Sequence, residues 1–484
     1  MPGGFATGTA FPRSSGEIAA LVRSARRLLP IGAQSSLTGG ATPRGDLVIS
    51  TRAMTDITRL PGQMVRVGAG VPLAELQRVL AADGLYYPPA PTYNGAFLGG
   101  TIATNAAGAA TFKYGSTRQW VEALTLVLAD GSLAEIRRGE VTASSDGWFE
   151  LEHSSGDIVR VPVPTYVMPD VVKLSAGYFA RPGMDLIDLF IGSEGTLGIV
   201  SDVTLRVIHL PRRSVVLVTC DSDSQALAVT AALRREAASS WRGEGALDVS
   251  AVEFMDSRAL AVVPDEAISR AGVRRPMGTA VLLLVQIEVA DREDEALALM
   301  DAMLDACGVH ASPQVALPGD ERGAARLFEL REAVPAGVNA LIAAAKSRVH
   351  PDIEKVAGDL IVPFERQEES LAMYRETFEQ YGLEYAIWGH VSDGNMHPNV
   401  LPRSLADVDR GKAAILDIAR GVVAMGGAPL AEHGVGRSAL KQQLLRELYG
   451  EPGVEEMRAV KRALDPEWKL AAGVLFPEDS GTRA

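Results

Sequence analysis

Cysteine and long apolar runs are scarce in this 484-residue sequence. Its two cysteines, Cys220 and Cys307, lie far apart and belong to no CxxC pair. This excludes a disulfide framework and a cysteine-based metal site, and it favours buried thiols in a reducing compartment. No run of about 20 apolar residues is present, so no transmembrane segment is predicted. Residues 1–15 lack the basic start and apolar core of a secretory signal, which favours a cytoplasmic protein.

Positive charge is also in deficit. Lys and Arg number 47 against 60 Asp and Glu, for a formal net charge of −13. Nucleic acid requires a basic surface, so it is excluded as a partner. An acidic chain is also poorly suited to electrostatic docking on anionic lipid. An anionic small molecule can still bind where a few Arg or Lys side chains converge.

Two common nucleotide-binding motifs are missing. No GxGxxG opens a helix after the first strand, so a Rossmann dinucleotide fold is not supported. No GxxxxGK[ST] is present either, which excludes a P-loop nucleotidase. The length exceeds what one core normally serves, so two domains are expected.

The sequence contains three runs of small residues instead of those motifs. Residues 99–108 read GGTIATNAAG, with two hydroxyls, one amide and no charge. Residues 32–40 and 192–199 are likewise rich in glycine and in small or hydroxylated residues. Glycine lets backbone N–H groups approach a bulky anion, and hydroxyls add donors without volume. The alternative for each loop alone is an ordinary glycine-rich turn.

Local patterns predict alternating strands and helices. An apolar face over residues 17–29 indicates a helix stopped by Pro30, and Asp130-Gly131 marks a hairpin over 121–136. A second hairpin is predicted over 148–163, turning at Ser155-Gly156-Asp157. After Pro211, strands at 215–220 and 281–289 alternate with helices, which indicates an α+β domain with helices on one face of a sheet. The predicted helices there cover residues 224–237, 292–306, 321–345, 366–381 and 408–425.

Histidine is concentrated near the C-terminus. His390 and His397 flank a turn-forming Ser-Asp-Gly-Asn, which can bring both rings inward. Glu432 can complete a two-histidine, one-carboxylate site for zinc, iron or manganese. Adjacent side chains point in different directions, so His433 is expected to be free of the metal and to act as general base. The alternative is that each histidine is a hydrogen-bonded structural residue.

Two cations are candidates for a substrate carboxylate. Arg331 suits bidentate pairing with a carboxylate, and Lys355 is the second candidate. For both residues, a solvated surface charge is the alternative.

Together the three loops, HVSDGNMH (390–397), AEHGVG (431–436) and the LDP tail (464–466) resemble the FAD-linked oxidoreductases of the vanillyl-alcohol oxidase superfamily. The resemblance covers about residues 10–476 and is greatest for the D-lactate, glycolate and D-2-hydroxyglutarate dehydrogenase branch. It implies an α+β fold. A two-subdomain PCMH-type FAD-binding domain would span 1–211, and a substrate cap with a mainly antiparallel sheet would span 212–428. Residues 429–484 would return to the flavin.

The resemblance also implies roles for individual residues. The pyrophosphate cradle would be Gly32, Ala33, Gln34, Ser35, Ser36, Leu37 and Thr38. The isoalloxazine and its phosphates would contact Thr92, Gly99, Gly100, Thr101, Thr104 and Asn105, and the adenosine side or flavin edge Glu194, Gly198 and Ile199. His390, His397 and Glu432 match the metal ligands, His433 the base and Arg331 the carboxylate-binding arginine. Ser392 replaces a glycine of the usual motif, and Lys355 stands two positions early.

The implied activity is oxidation of a small D-2-hydroxy acid to the 2-oxo acid, by hydride transfer to flavin N5 with a divalent metal, zinc first, polarising the substrate. The flavin loops contain no His or Cys for covalent attachment, so FAD is expected to bind noncovalently. Electrons would pass to a quinone, a cytochrome or an electron-transfer flavoprotein, from a cytoplasmic protein or one attached peripherally to the inner face of the membrane. A homodimer is one open assembly. The alternatives are a non-catalytic flavin-binding subunit of a larger oxidase complex and an O₂-using alcohol oxidase of the same superfamily.

Overall fold

The computed structural model describes residues 4–478 apart from 90, 92, 153–155, 157, 276 and 290–291. Up to residue 209 the elements are β1 (Phe5–Ala10), α1 (Ser15–Ser24), β2 (Leu28–Ile31), β3 (Arg44–Ser50), β4 (Ile57–Leu60), β5 (Met64–Gly68), α2 (Leu73–Ala82), β6 (Leu85–Tyr86), α3 (Leu98–Ala103), α4 (Thr111–Tyr114), β7 (Val121–Val127), β8 (Leu133–Arg137), β9 (Trp148–Glu152), β10 (Ile158–Pro162), α5 (Leu186–Phe190), β11 (Ile199–Arg206) and β12 (Ile208–His209).

Two sheets organise this first part of the chain. A parallel three-stranded sheet has the order β1-β3-β2, and an antiparallel five-stranded sheet has the order β4-β5-β11-β7-β8. Helix α1 packs between the two sheets, since Ile18 and Val22 share a core with Ile49 of β3 and with Val127 of β7. The hairpin at Asp130-Gly131 is confirmed, with Gly131 at φ +80°. The hairpin of β9 and β10 is also present, but Ser155 and Asp157 of its predicted turn lie outside the described residues.

The predicted first helix is too long. It ends at Ser24, and residues 28–31 instead form β2, in which Leu28 pairs with Leu47 of β3. Their apolar character serves the sheet core rather than a helix face. Pro30 is tolerated because β2 is at the edge of its sheet, and within the described residues its outer side is bridged to another segment only at Leu28, so the missing N–H of Pro30 breaks no ladder hydrogen bond.

The middle of the chain forms a second domain around one large sheet. Its elements are β13 (Arg212–Cys220), α6 (Asp223–Trp241), β14 (Asp248–Asp256), α7 (Ser257–Ala261), α8 (Asp265–Arg270), β15 (Val281–Val289), α9 (Glu293–Ala306), β16 (Gln314–Ala316), α10 (Glu321–Arg348), β17 (Leu360–Ile361), α11 (Gln367–Gln380), β18 (Tyr385–His390), β19 (Asn395–Val400) and α12 (Leu405–Ala424). Within the described residues the sheet is seven-stranded and antiparallel, in the order β16-β13-β15-β14-β18-β19-β17.

Helices cover both faces of this sheet, which corrects the expectation of one. Alternate residues of β13 belong to different cores: Val216 and Val218 pack with α6 and α9, and Val215 and Leu217 pack with α7, α8 and α10. The central strands are buried on both sides, and their continuous apolar runs are the sequence signal of a sheet that is covered on both faces.

The last segment returns to the first domain. Helix α13 (Ala439–Leu464) breaks at Gly450 and is followed by a tail that pairs with β2, where Ala471 N donates to Leu28 O at 2.8 Å. Arg437 forms a fully buried ion pair with Asp46 of β3, at 3.0 Å. None of the helices in the described ranges combines the length and apolarity needed to cross a bilayer.

Candidate functional site: an imidazole and carboxylate cluster beside a glycine-lined cleft

The hairpin of β18 and β19 places the predicted histidines on one face of the large sheet. His390 is paired with Asn395, His397 with Trp388, and Glu253 of β14 with His390. Side chains of directly paired residues share a face, so these polar groups project together. The ring centroids of His390 and His397 are 5.3 Å apart.

The residues of the turn between these strands each have a structural role. Gly394 has φ +83°, and a Cβ there would lie 2.1 Å from the carbonyl oxygen of Val362, so only glycine fits. Asp393 Oδ1 accepts the N–H of Asn395 at 3.1 Å. Ser392, the departure from the usual motif, accepts the N–H of Val252 in β14 at 3.0 Å. The serine therefore fastens the hairpin to its neighbouring strand.

Three imidazoles converge on one carboxylate oxygen. Glu432 Oε1 lies 3.4 Å from His390 Nε2, 3.3 Å from His397 Nε2 and 3.5 Å from His433 Nε2. The expectation that Glu432 and His433 point apart is therefore wrong. The cause is Asp359, whose Oδ2 accepts the backbone N–H groups of both residues, at 2.9 and 2.8 Å, and holds the chain in a tight bend.

Three charged residues of this cluster were missed in the sequence. Lys173, Glu253 and Asp359 each stand alone among apolar or small neighbours, and an isolated charge in such a setting was the one available signal. The Lys173 side chain is fully buried, with Nζ 2.9 Å from Glu432 Oε2 and 3.1 Å from Asp393 Oδ2. Burial alone would lower the pKa of Lys173, but the two carboxylates outweigh it and raise it.

Glu253 joins two of the predicted residues. It accepts from Arg331 Nε at 2.7 Å and lies 2.7 Å from His390 Nδ1. Burial alone would raise the pKa of Glu253, but Arg331 and His390 lower it to about 2. Burial alone would lower the pKa of His390, but Glu253 raises it to about 9. At His397 burial prevails and lowers the pKa to about 4.

The donor set fits a divalent metal. One ligand atom each from Asp359, His397, Glu432 and His433 can be chosen so that all lie within 4.8 Å of one another. This group includes His433, which was expected to be free of the metal, and does not include His390, although His390 Nε2 lies 3.4 Å from Glu432 Oε1. Among the described residues, His390 Nε2 and His397 Nδ1 are buried without a hydrogen-bond partner. Orphaned imidazole nitrogens beside carboxylates are the ligands that zinc, iron and manganese take.

The cluster opens into a cavity of about 650 Å³, a usual size for a small-molecule site. His397, Glu432 and His433 line it, and so do Arg331 and Lys355. Lys355 thus reaches the cavity despite its shifted position. Its Nζ lies 3.2 Å from Asn339 Oδ1, and burial lowers its pKa.

A second, smaller cleft lies among the glycine-rich loops. The predicted cofactor residues that line it are Gly32, Gly99, Gly100, Glu194, Gly198 and Ile199. A Cβ on Gly100 would meet no atom within 4 Å, so this backbone faces open space, whereas one on Gly99 would lie 2.8 Å from the Cβ of Ala69. A cleft walled by bare backbone fits a large planar cofactor with phosphates.

The remaining predicted cofactor residues divide into three groups. Leu37 and Thr38 line the larger cavity, so their loop connects the two spaces. Thr92 lies outside the described residues. Ala33, Gln34, Ser35, Ser36, Thr101, Thr104 and Asn105 line neither space.

Some of these last side chains have partners within the protein. The hydroxyls of Thr101 and Thr104 donate to Leu98 O and Gly100 O. Asn105 donates to Leu174 O. Their contact with a cofactor stays a prediction.

Glu194 lines the glycine-rich cleft and is hydrogen-bonded to the segment that carries Glu432 and His433. Its carboxylate accepts the N–H groups of Val435 at 2.7 Å and Gly436 at 2.9 Å, just beyond His433. Burial raises the pKa of Glu194 to about 7 although these hydrogen bonds oppose the shift. The two spaces are therefore adjacent, and the hydrogen bonds of Glu194 link their walls.

Comparison with known proteins identifies the class. A family model for an FAD binding domain matches residues 6–137, and one for the C-terminal domain of FAD linked oxidases matches residues 211–475. The chain therefore belongs to the FAD linked oxidases and is an FAD-dependent oxidoreductase. Cys220 and Cys307 lie in β13 and after α9, away from the residues that line the cleft.

This chain aligns with several curated relatives over most of their length. It is 28% identical to glycolate oxidase subunit GlcD of Bacillus subtilis, covering 98% of this chain and 89% of that one. It is 29% identical to D-2-hydroxyglutarate dehydrogenase of Stutzerimonas stutzeri (96% and 90% covered) and to D-lactate dehydrogenase of Archaeoglobus fulgidus (96% and 89%). A solved alkyldihydroxyacetonephosphate synthase shares the fold, with TM-score 0.62, 15% identity, and 96% and 75% coverage.

Proposed function

We propose that this protein is an FAD-dependent dehydrogenase that oxidises a small D-2-hydroxy acid to the 2-oxo acid. The observation that carries the proposal is the convergence of three imidazole nitrogens on Glu432, at the wall of a cavity that Arg331 also lines. The names of the relatives, which refer to glycolate, D-lactate and D-2-hydroxyglutarate, support the substrate class.

Two bound groups would supply chemistry that side chains lack: FAD would provide an acceptor for the electron pair, and a divalent metal would provide a Lewis acid for the substrate hydroxyl. His390, His397 and Glu432 are the proposed metal ligands. Lys173 orients Glu432 by holding its second oxygen. The loops around Gly32, Gly99 and Gly198 would hold FAD noncovalently.

His433 is the proposed general base. Its Nδ1 lies 3.4 Å from Asp359 Oδ2, so the carboxylate can hold the ring with a proton on Nδ1. Nε2 is then the atom that takes the proton of the substrate hydroxyl. The side chain of His433 is 30% exposed, the most open of the three histidines, as a proton-transfer group requires.

Arg331 is the proposed carboxylate receptor. Its Nε is engaged by Glu253, while its two Nη atoms make no hydrogen bond within the described part of the chain. This leaves a bidentate edge for the C1 carboxylate, beside which Lys355 adds positive charge. The reduced enzyme would pass electrons to a quinone, a cytochrome or an electron-transfer flavoprotein.

Anaerobic reduction of the bound flavin tests the proposal. The flavin-loaded protein is mixed with D- and L-2-hydroxy acids, and loss of the visible flavin absorbance is followed. We expect D-enantiomers alone to bleach the flavin, and a strong chelator to abolish the reaction. If no 2-hydroxy acid bleaches it, the proposal is wrong. Rapid peroxide formation in air, unaffected by chelation, would indicate an alcohol oxidase instead.

A further inference from the structure

Lys441 is a buried cation in the first turn of α13. The residue is 8% exposed and lines the larger cavity. Its Nζ has no hydrogen-bond partner among the described residues. The Asp359 carboxylate attracts this ammonium but accepts no hydrogen bond from it.

Three other cations on the cavity wall each have a carboxylate partner within the protein. Arg437 is paired with Asp46 at 3.0 Å, Lys412 with Glu354 at 2.6 Å, and Arg331 with Glu253 at 2.7 Å. Lys441 differs because it is nearly buried and has neither a carboxylate nor a carbonyl on its ammonium. Such a group costs stability unless something completes its hydrogen bonds.

The surroundings of Lys441 favour an anion. Ser438, Ala439 and Leu440 line the cavity with it, so the N-terminal end of α13 faces this space. That end carries partial positive charge, and the first turn of α13 contains no acidic residue to neutralise it.

We propose that Lys441 and the first turn of α13 bind a second anionic group of the substrate. The preferred substrate is then a D-2-hydroxy acid with a further carboxylate or phosphate, rather than lactate or glycolate. This rests on the proposed function for the C1 end, where Arg331 takes the first carboxylate. Lys441 acts as a specificity residue and takes no part in proton or electron transfer.

The test compares ligands of equal carbon number. Flavin reduction is measured with D-2-hydroxyglutarate and with D-2-hydroxypentanoate, and 3-phospho-D-glycerate tests phosphate as the second group. Binding is measured separately by titrating the flavin-loaded protein with glutarate and with pentanoate, neither of which can be oxidised at C2. Wild type is compared with Lys441→Met, and Lys412→Met serves as the control because that lysine lines the same cavity but is already paired.

We expect Lys441→Met to raise KM for the dianionic substrates, and Kd for glutarate, by roughly tenfold to a hundredfold, the effect of a lost charged hydrogen bond. The monoanions should change less than about threefold, and Lys412→Met should behave like wild type. Thermal stability should be unchanged or higher, since an unsatisfied buried charge is removed.

Equal effects on dianions and monoanions, or no effect on either, would overturn the proposal, as would a loss of stability with no change in selectivity. If hydroxy acids reduce the flavin without preference for a second anion, the subsite is wrong and the proposed function stands. If glutarate binding depends on Lys441 while no hydroxy acid reduces the flavin, the subsite stands and the proposed function is wrong.

Discussion

Replacing Lys173 by methionine removes the ammonium between two buried carboxylates. Nζ lies 2.9 Å from Glu432 Oε2 and 3.1 Å from Asp393 Oδ2, and the lysine side chain is inaccessible to solvent. Methionine matches the length of the stem, so the substitution deletes charge and hydrogen bonds more than volume.

The expected loss follows from the burial of both partners. Removing one member of a buried ion pair costs about 3–5 kcal/mol, because the remaining charge is left uncompensated. Burial already raises the pKa of Asp393, so without Lys173 this carboxyl can take up a proton and relieve part of the penalty. We therefore expect a loss of free energy of unfolding near the lower end, about 3 kcal/mol.

A second consequence concerns the metal. Glu432 Oε1 faces the histidines because Oε2 is held by Lys173. Loss of a group that orients a ligand weakens metal binding by about tenfold to a hundredfold. Stability is measured by chemical unfolding of the metal-free protein, and zinc affinity by competition with a chromophoric chelator.

Lys461→Met is the matched control. Lys461 is equally buried and is paired with Asp465 at 2.5 Å, away from the cluster. We expect a similar loss of stability in this variant but unchanged zinc affinity. Tighter zinc binding in Lys173→Met would refute the reasoning, because it would mean that repulsion between Lys173 and the metal outweighs the orientation of Glu432.

Three further predictions follow from the site. His433→Gln should slow flavin reduction by about 10²–10⁴-fold in stopped-flow experiments without changing flavin affinity. A loss of flavin affinity as large as the loss of rate would contradict a role as base. Gly100→Ala should fold at least as stably as wild type but bind FAD more weakly in equilibrium titration, because the new methyl group projects into the cleft, whereas Gly16→Ala in α1 should leave FAD affinity unchanged. Glu194 has its pKa raised from about 4.5 to about 7, so ionisation disfavours the folded state. The free energy of unfolding of wild type relative to Glu194→Gln should therefore fall as pH rises through that window, by at most about 3 kcal/mol, and a constant difference would contradict the shift.

Much of the fold and part of the site follow from local sequence. Asp130-Gly131 predicts a hairpin because few dipeptides adopt that turn, and the structure has it. The Ser-Asp-Gly-Asn turn brings His390 and His397 to one face because pairing in a tight hairpin sets which side chains share a side. The glycine-rich loops similarly indicate a cleft, because glycine has no side chain and its positions can be read directly from the sequence.

One error arose where a local apolar pattern was compatible with either a helix or a strand. The apolar residues 28 and 29 suit a helix face or a strand, and pairing with β3 chose the strand. The second error was not ambiguous: the continuous apolar runs in β13 and β15 are typical of strands covered on both faces, and the expectation of helices on one face overlooked this signal.

The sequence by itself determined which chemical groups this protein carries: glycine-rich backbone for a cofactor, and the histidines and carboxylate of the proposed metal site. Only the tertiary structure decided which charges meet them. Lys173, Glu253 and Asp359 come from segments that lie far apart in the chain and have no shared spacing. Their roles depend on burial and on distances of about 3 Å, which arise only when the sheet, the first domain and the returning C-terminal segment are packed together. The same packing leaves the Lys441 ammonium without a hydrogen-bond partner among the described residues, and the proposed second anionic group of the substrate rests on this observation.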